Sequence, residues 1–404
     1  MTTTINNEHN KLNVPNLRFP EFQGEWEEHK LEDITAEIGD GIHATPIYDD
    51  NGTFYFVNGN NISEYGITIT ATTQKVTEEE ALRNNASALN SYSILLSING
   101  TVGNVALYKN ESIMLGKSAC YINVSSNINR NYIFYYLMMP KCQFYFTSEL
   151  TGTTIKNLSL KSIRKTKVLL PNANEQSKIA RLFDAINERI ATQNKIIEDL
   201  KKLKCAIIEK HFRQAKLHKY KICDLGVPFS VGSLSKEDLS EEGHECILYG
   251  ELFTTYDCVI NEVKSHTNKI AITTLSQKGD LLFPSSTTVD AVSLISPSVI
   301  DIPNVILGGD MFGIHIDKKF NAYYLSYYIN LIARKKLAIY AKGSTIIHLH
   351  YKDIAKAQLL LPDLCEQDKI AKCMMAEDAK IKVEEQLLTK LEKQKQYLLR
   401  QMFI

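Results

Sequence analysis

The sequence predicts an α+β chain: a tandem repeat of two α/β units, each followed by a long helix. Three observations predict it. Leu169-Leu170-Pro171 returns as Leu360-Leu361-Pro362, and Glu175-Gln176-x-Lys178-Ile179-Ala180 returns as Glu366-Gln367-x-Lys369-Ile370-Ala371, each 191 residues on. Residues 174–214 contain neither Gly nor Pro, and their apolar positions Ile179, Phe183, Ile186, Ile190, Ile197, Leu200 and Ile207 advance in steps that mark one helix face. Ahead of each such stretch lie short apolar runs of strand length separated by polar loops.

At 1.5 Å per residue the first helical stretch spans roughly 55–60 Å, long enough to suggest a coiled coil or spacer. Its seam recurs as Ile190/Ile381, Ile197/Leu388, Leu200/Leu391, Ile207/Leu398 and Phe212/Phe403. Polar residues that interrupt the seam recur too, as Gln193/Glu384 and Lys204/Lys395, and polar seam positions fix register. The predicted boundaries are 1–173 and 215–364 for the two α/β units, and 174–214 and 365–404 for the helices.

In chain order, residues 1–11 read as a flexible tail, and residues 10–28 as an extended segment docked by Phe19, Phe22 and Trp26. Lys30-Leu31-x-Asp33-Ile34 has its partner in Lys221-Ile222-x-Asp224-Leu225, so the repeat covers whole units. Strands are predicted at Phe54–Val57 and Cys246–Leu248. A second pair is predicted at Ser93–Ser97, running into Asn99-Gly100-Thr101, and at Asp280–Phe283, running into Pro284-Ser285-Ser286-Thr287-Thr288. Helices follow from Asn131 and Ala322. Their matching Tyr132, Tyr135, Tyr136 and Tyr324, Tyr327, Tyr328 are expected in the core rather than stacked on bases. Gly152-Thr153-Thr154-Ile155 and Gly343-Ser344-Thr345-Ile346 come next, and Pro171 and Pro362 close each unit. The framework repeats, but the loops diverge, as in residues 39–52 against 231–243.

A chain of 404 residues with 44% apolar and 23% charged residues has material for more than one core. No apolar run is long enough to cross a membrane, and the N-terminus lacks a signal pattern. Eight Cys without a CxxC pair argue for reduced, cytoplasmic thiols rather than disulfides or zinc. Forty-six basic residues balance forty-six acidic ones, so any grip on nucleic acid is local or shared with partners.

Catalytic motifs are largely missing. Gly116-Lys117-Ser118 resembles the end of a P-loop, but its leading Gly would fall at Glu111. Asp257 with Glu262-x-Lys264 is a weak match to a nuclease metal site, and His348-x-His350 lacks further ligands at zinc spacing. Basic residues gather near the end of each unit: Lys156, Lys161, Arg164, Lys165, Lys167, and Arg334, Lys335, Lys336, Lys342, Lys352, Lys356. Beside them, Gly-Thr-Thr and Gly-Ser-Thr offer donors suited to phosphate.

Leu17–Trp26 (LRFPEFQGEW), Ser93–Gly103 (SILLSINGTVG) and the doubled LLP…EQxKIA helices together resemble the specificity subunit of type I restriction–modification systems. The resemblance covers nearly the whole chain. It implies two target recognition domains, each reading half of a split DNA site, and two helices paired as an antiparallel coiled coil that sets the spacing. It also implies docking of methyltransferase subunits, with restriction subunits joining through that core. S-adenosylmethionine, ATP and Mg are then expected on the partners, and none on this non-catalytic chain. Phe283-Pro284-Ser285-Ser286 stands where the first unit has Ser97-Ile98-Asn99-Gly100, so contacts do not transfer between units.

On this reading His43, Thr45, Asn60, Asn99 and Thr101 are the candidate DNA contacts of the first domain. Ser233, Lys236, Glu251, Ser286, Thr287 and Thr288 are those of the second, with Lys156 and Lys342 for phosphate. Leu182, Leu203, Ile208, Met375, Val383 and Leu387 fall outside the seam and are expected to face the methyltransferase. Two rival readings are a coiled-coil scaffold that reads no sequence, and a metal nuclease using Asp257 and Glu262.

Overall fold

The computed structural model describes residues 13–152, 156–269 and 274–404; the tail and positions 153–155 of the first Gly-Thr-Thr-Ile segment lie outside them. The chain divides into two compact units, Met1–Asn194 with Leu387–Ile404, and Lys195–Gln386. Each unit therefore holds one globular part and a stretch of both long helices.

In the first unit the order of a four-stranded antiparallel sheet is Thr35–Asp40, Ala119–Val124, Ser93–Ser97, Val105–Leu107. Ser93–Ser97 is buried along its whole length, because successive side chains enter different cores. Ile94 and Leu96 point with Cys120 and Ile122 into the core shared with the helices, whereas Leu95 joins Ala119 and Tyr121 in a second core. A smaller sheet, Lys75–Val76, Phe54–Val57, Ile113–Leu115, flanks the second core. Glu27–Lys30 pairs antiparallel with Lys167–Leu170, which brings the start of the unit beside the start of its helix.

The second unit repeats this plan with a five-stranded sheet centred on Asp280–Pro284, flanked by Met311–Ile316 and Ser298–Ile300. Leu281 and Phe283 again face the helix-side core and Leu282 the other. His218–Lys221 pairs with Gln358–Leu361 as Glu27–Lys30 does with Lys167–Leu170.

The predicted tyrosine helices are Arg130–Met138 and Ala322–Tyr328, the latter continuing as a π-helical turn, Ile329–Ala333. All six matched tyrosines are buried, as expected of core residues. The doubled Gln of the EQxKIA motif has a physical reason. Gln176 accepts from the backbone N–H of the helix cap Asn129 at 3.0 Å and donates to the Pro171 carbonyl at 2.8 Å. Gln367 does the same with Asn321 (3.0 Å) and Pro362 (2.8 Å). In each unit one buried amide ties the closing Pro to the aromatic helix.

The long helices are Ala173–Gln214 and Leu364–Met402. In the second unit Lys201 meets Glu385 at 2.7 Å and Lys204 meets Asp378, so residue numbers rise on one helix as they fall on the other: the pair is antiparallel. The first unit's core takes Ile179, Ala180 and Phe183 from the first helix and Leu399, Met402 and Phe403 from the second. The second unit's core takes Ile208 from the first helix and Ile370, Ala371 and Met374 from the second. Ile208, 1% exposed, is therefore not on an outer face as the sequence suggested. The antiparallel partner carries the far end of the first helix onto the second globular part, and Ile208 packs there. Leu182 also leans on the first core, and Leu387 is half-buried; Leu203, Met375 and Val383 are exposed.

The segment Leu17–Trp26 docks as expected, with Trp26 buried edge-on to Tyr132. Its anchor is an ion pair: the Arg18 guanidinium donates through two nitrogens, each at 2.8 Å, to the fully buried Glu175 carboxylate. Removing Arg18 leaves that carboxylate uncompensated, at a cost of about 3–5 kcal/mol. Arg18→Ala is expected to lower the unfolding free energy of the first unit by that amount, measured by chemical unfolding. A change under about 1 kcal/mol, the range of an exposed pair, would contradict the assignment.

Candidate nucleic-acid interface

In the first unit three polar loops converge on the turn Leu115–Ser118. Ile42 bridges Gly116, and its N–H donates to the Leu115 carbonyl at 2.9 Å, which brings His43 to the turn. Gly59 N–H donates to Ser118 Oγ at 2.8 Å, and Ser118 Oγ donates to Asn58 Oδ1 at 2.9 Å, which fixes the Asn58–Asn61 turn. Ile98 N–H donates to the Ser118 carbonyl at 2.9 Å and places Asn99 beside it. A Cβ on Gly116 would lie 2.4 Å from Asn58 Oδ1, so only glycine permits this approach. The Gly116-Lys117-Ser118 triplet is thus a loop hub. A strand, Ala119–Val124, follows it where a P-loop has a helix.

The hub of the second unit is Gly308-Gly309-Asp310. Gly232 bridges Gly308, which carries in Ser233, and Ser285 N–H donates to the Asp310 carbonyl at 2.7 Å. The closing loops correspond as well. Thr151 bridges Asn157, which also bridges Asn99; Lys342 bridges His348, and Ser286–Thr287 pairs with Ile347–His348. These bonds set Ile98 opposite Ser285 and Asn99 opposite Ser286, one residue from the sequence alignment. They also set Lys342 opposite Thr151, so Lys156 and Lys342 are not counterparts.

The structure sorts the candidates. His43, Thr45, Asn60, Thr101 and Lys156 are exposed and Asn99 is half-buried. His43 Nε2 lies 2.8 Å from Asp40 Oδ2, which orients its ring. In the second unit Ser233 and Thr288 are exposed, Thr287 is half-buried and Ser286 is buried in its strand pair. Lys236 lies on a separate exposed turn, Lys236–Asp238, whose Asp238 is held by Ser235 and Lys269. Glu251 has both carboxylate oxygens engaged, one by Leu248 N–H and one by Ser265 Oγ, each at 2.7 Å. That makes it a brace for its own loop. Lys342 lies 2.5 Å from Asp353, whose carboxyl its ammonium holds below the usual range.

Part of each basic cluster is structural. Arg164 donates to the Ile38 carbonyl at 2.8 Å and Lys167 pairs with Glu28 at 2.8 Å. Arg334 donates to the Val292 and Ser293 carbonyls at 2.7 and 3.1 Å. Conversely, sequence reasoning passed over Lys117, exposed at the centre of the first hub, and Asp310, its neighbour in kind at the second. The signal was present: each follows a buried strand and a glycine. Asp257 and Glu262 are exposed, and the rings of His348 and His350 stack at 6.0 Å. Among the described residues no group of three or more His, Cys, Asp or Glu is placed to hold a metal, and no helix is long and apolar enough to cross a membrane.

Against known families, the type I restriction modification DNA specificity domain matches residues 23–202 and again residues 234–393. The chain belongs to this family. It carries two copies of the specificity domain, whose matches end 191 residues apart, the offset of the internal repeat. A putative type I restriction enzyme MjaX specificity subunit of Methanocaldococcus jannaschii is 23% identical, over 96% of this chain and 95% of that one. The fold is that of a type I S subunit from M. genitalium, with a TM-score of 0.60 at 16% identity, covering 97% of this chain and 99% of that one. A chain from a study of complex assembly and conformational transition in a type I R-M system aligns with a TM-score of 0.56 at 14% identity, over 94% and 97%.

Proposed function

We propose that this specificity-family chain is the non-catalytic DNA-reading subunit of a cytoplasmic type I restriction–modification complex, each globular part reading half of a bipartite site. The observation that carries the reading is the doubled specificity domain with a polar loop hub in each copy. Asn60, Asn99 and Thr101 offer both donors and acceptors for base edges, and Lys117 and Lys156 offer charge for phosphate. The second hub differs in sign, with Asp310 where the first has Ser118, which suits a different half-site. A balanced net charge fits a protein that fixes position and sequence while partners supply much of the phosphate contact. Exposed Leu203, Met375 and Val383 on the helices suit a methyltransferase surface, through which restriction subunits would join. S-adenosylmethionine, ATP and Mg belong on those partners.

The test is base-modification mapping in DNA after co-expression with methyltransferase subunits. Two defined half-sites separated by an unread gap are expected. Alanine at Asn99 and Thr101 should relax one half-site only. Modification without sequence preference, or unchanged by loop substitution, would favour a scaffold that reads nothing.

A further inference from the structure

Lys395 lies at a seam position of the second long helix and its side chain is 4% exposed. A buried ammonium requires a partner. That partner is Glu64, at 2.6 Å, 331 residues away in sequence. Glu64 sits at the tip of a small hairpin in which Ile62–Ser63 pairs with Gly66–Ile67. Tyr65 beside it also meets the helix: partial burial and the carboxylates of Glu64 and Glu392 push its phenol up to about 12.

The hairpin is continuous with two loops of the first hub. Asn61 Nδ2 donates to the Thr68 carbonyl at 3.0 Å and Thr68 N–H donates to the Asn61 carbonyl at 2.7 Å, which locks the hairpin base to the Asn58–Asn61 turn. Asn104 Nδ2 donates to the Ile62 carbonyl at 3.0 Å, and Asn104 N–H donates to Ser97 Oγ at 2.9 Å, which ties in the loop carrying Asn99 and Thr101. A short bonded path thus runs from a coiled-coil lysine to the candidate reading residues.

The repeat supplies an internal control. Lys204 occupies the same seam position in the other helix, 191 residues earlier, but its partner is Asp378 on the opposite helix. Asp378 also accepts from the Tyr327 hydroxyl at 2.5 Å. That lysine braces helix to helix and lies over the Tyr327 ring, and among the described residues it makes no hydrogen bond or ion pair to a loop of the second hub.

We propose that the Lys395–Glu64 pair is a positioning strut that couples the coiled coil to the reading loops of the first domain alone, and so sets discrimination at one half-site. The inference rests on the reading function proposed above, and its test is arranged to separate the two. Full-length variants are assembled with methyltransferase, and modification rates are measured on DNA carrying single base-pair changes in either half-site. The first domain's half-site is the one relaxed by alanine at Asn99 and Thr101.

Lys395→Met should lower discrimination there about tenfold, the scale of one lost base-pair preference, and leave the other half-site within about twofold. Lys204→Met should change neither. The exchanged pair Glu64→Lys with Lys395→Glu should restore discrimination, and Glu64→Gln stands in should Lys395→Met fail to fold. Equal relaxation of both half-sites, or equal behaviour of the two lysine variants, overturns the strut. Hydrogen exchange needs no DNA: amides between Asn61 and Thr68 should exchange faster in Lys395→Met than in Lys204→Met. Unchanged exchange overturns the strut even where reading is intact. Faster exchange with no sequence preference in the wild-type complex supports the strut and removes the reading function.

Discussion

A chain ended after Gln214 is expected to be a homodimer that directs modification to a palindromic split site. The first core loses Leu399, Met402 and Phe403 on truncation, side chains that are 0, 2 and 5% exposed. Phe403 packs on Tyr132, Tyr136 and Phe183 with ring centroids 5.3, 5.8 and 5.6 Å apart. Deleting even one buried side chain of this size costs about 3–5 kcal/mol, and a whole domain holds only about 5–15. The monomer should therefore be unstable. A second copy can fill the gap, because Ile208, His211 and Phe212 stand at the repeat positions of Leu399, Met402 and Phe403. Lys204 likewise stands where Lys395 meets Glu64. The poor match is His211, an imidazole in an apolar site, so His211→Met should tighten the dimer by about tenfold. Sedimentation equilibrium measures the association, and base mapping of co-expressed DNA measures the site. A stable monomer, or modification of the full chain's asymmetric site, would contradict the two-unit reading.

The exchange of helix ends explains both what the sequence disclosed and what it hid. The 191-residue repeat, the LLP and EQxKIA motifs and the apolar run Ser93–Ser97 are legible in the sequence itself, and they anticipated the doubled plan, the strands and the tyrosine cores. Ile208 went astray because its partner is decided by the antiparallel helix and not by its own neighbours. The same limit hid Arg18–Glu175 and Lys395–Glu64, pairs joined across 157 and 331 residues. Among the loop candidates, His43, Asn60 and Asn99 meet at one hub, but Glu251 turned out to brace its own loop. Composition cannot tell a polar side chain that faces a ligand from one that satisfies a backbone N–H. Lys117 was overlooked for the opposite reason: its triplet was weighed against a phosphate motif and then set aside.

The helices are also expected to act as a ruler, so that lengthening both should lengthen the unread gap. One heptad inserted after Gln193 and another after Glu384 fall near Asn194 and Gln386, where the two compact units end along each helix. Contacts inside each unit, such as Phe183 with Phe403 and Lys204 with Asp378, are then retained, whereas Lys201 and Glu385 fall on opposite sides of the inserts. Seven residues preserve the heptad seam, and they add about 10 Å of helix. That is close to the rise of about three base pairs. Three pairs also turn the groove by roughly 100°, at about 10.5 pairs per turn, so the second hub would no longer meet the same edge. The original spacing should therefore be lost, and surviving activity should favour a longer gap at a cost of a few kcal/mol from twisting DNA. Half-site sequences should stay the same, since the loops at Leu115–Ser118 and Gly308–Asp310 are untouched. Base-modification mapping of the double-insertion variant decides the matter. Normal activity at the original spacing would mean that something other than helix length fixes the distance between half-sites.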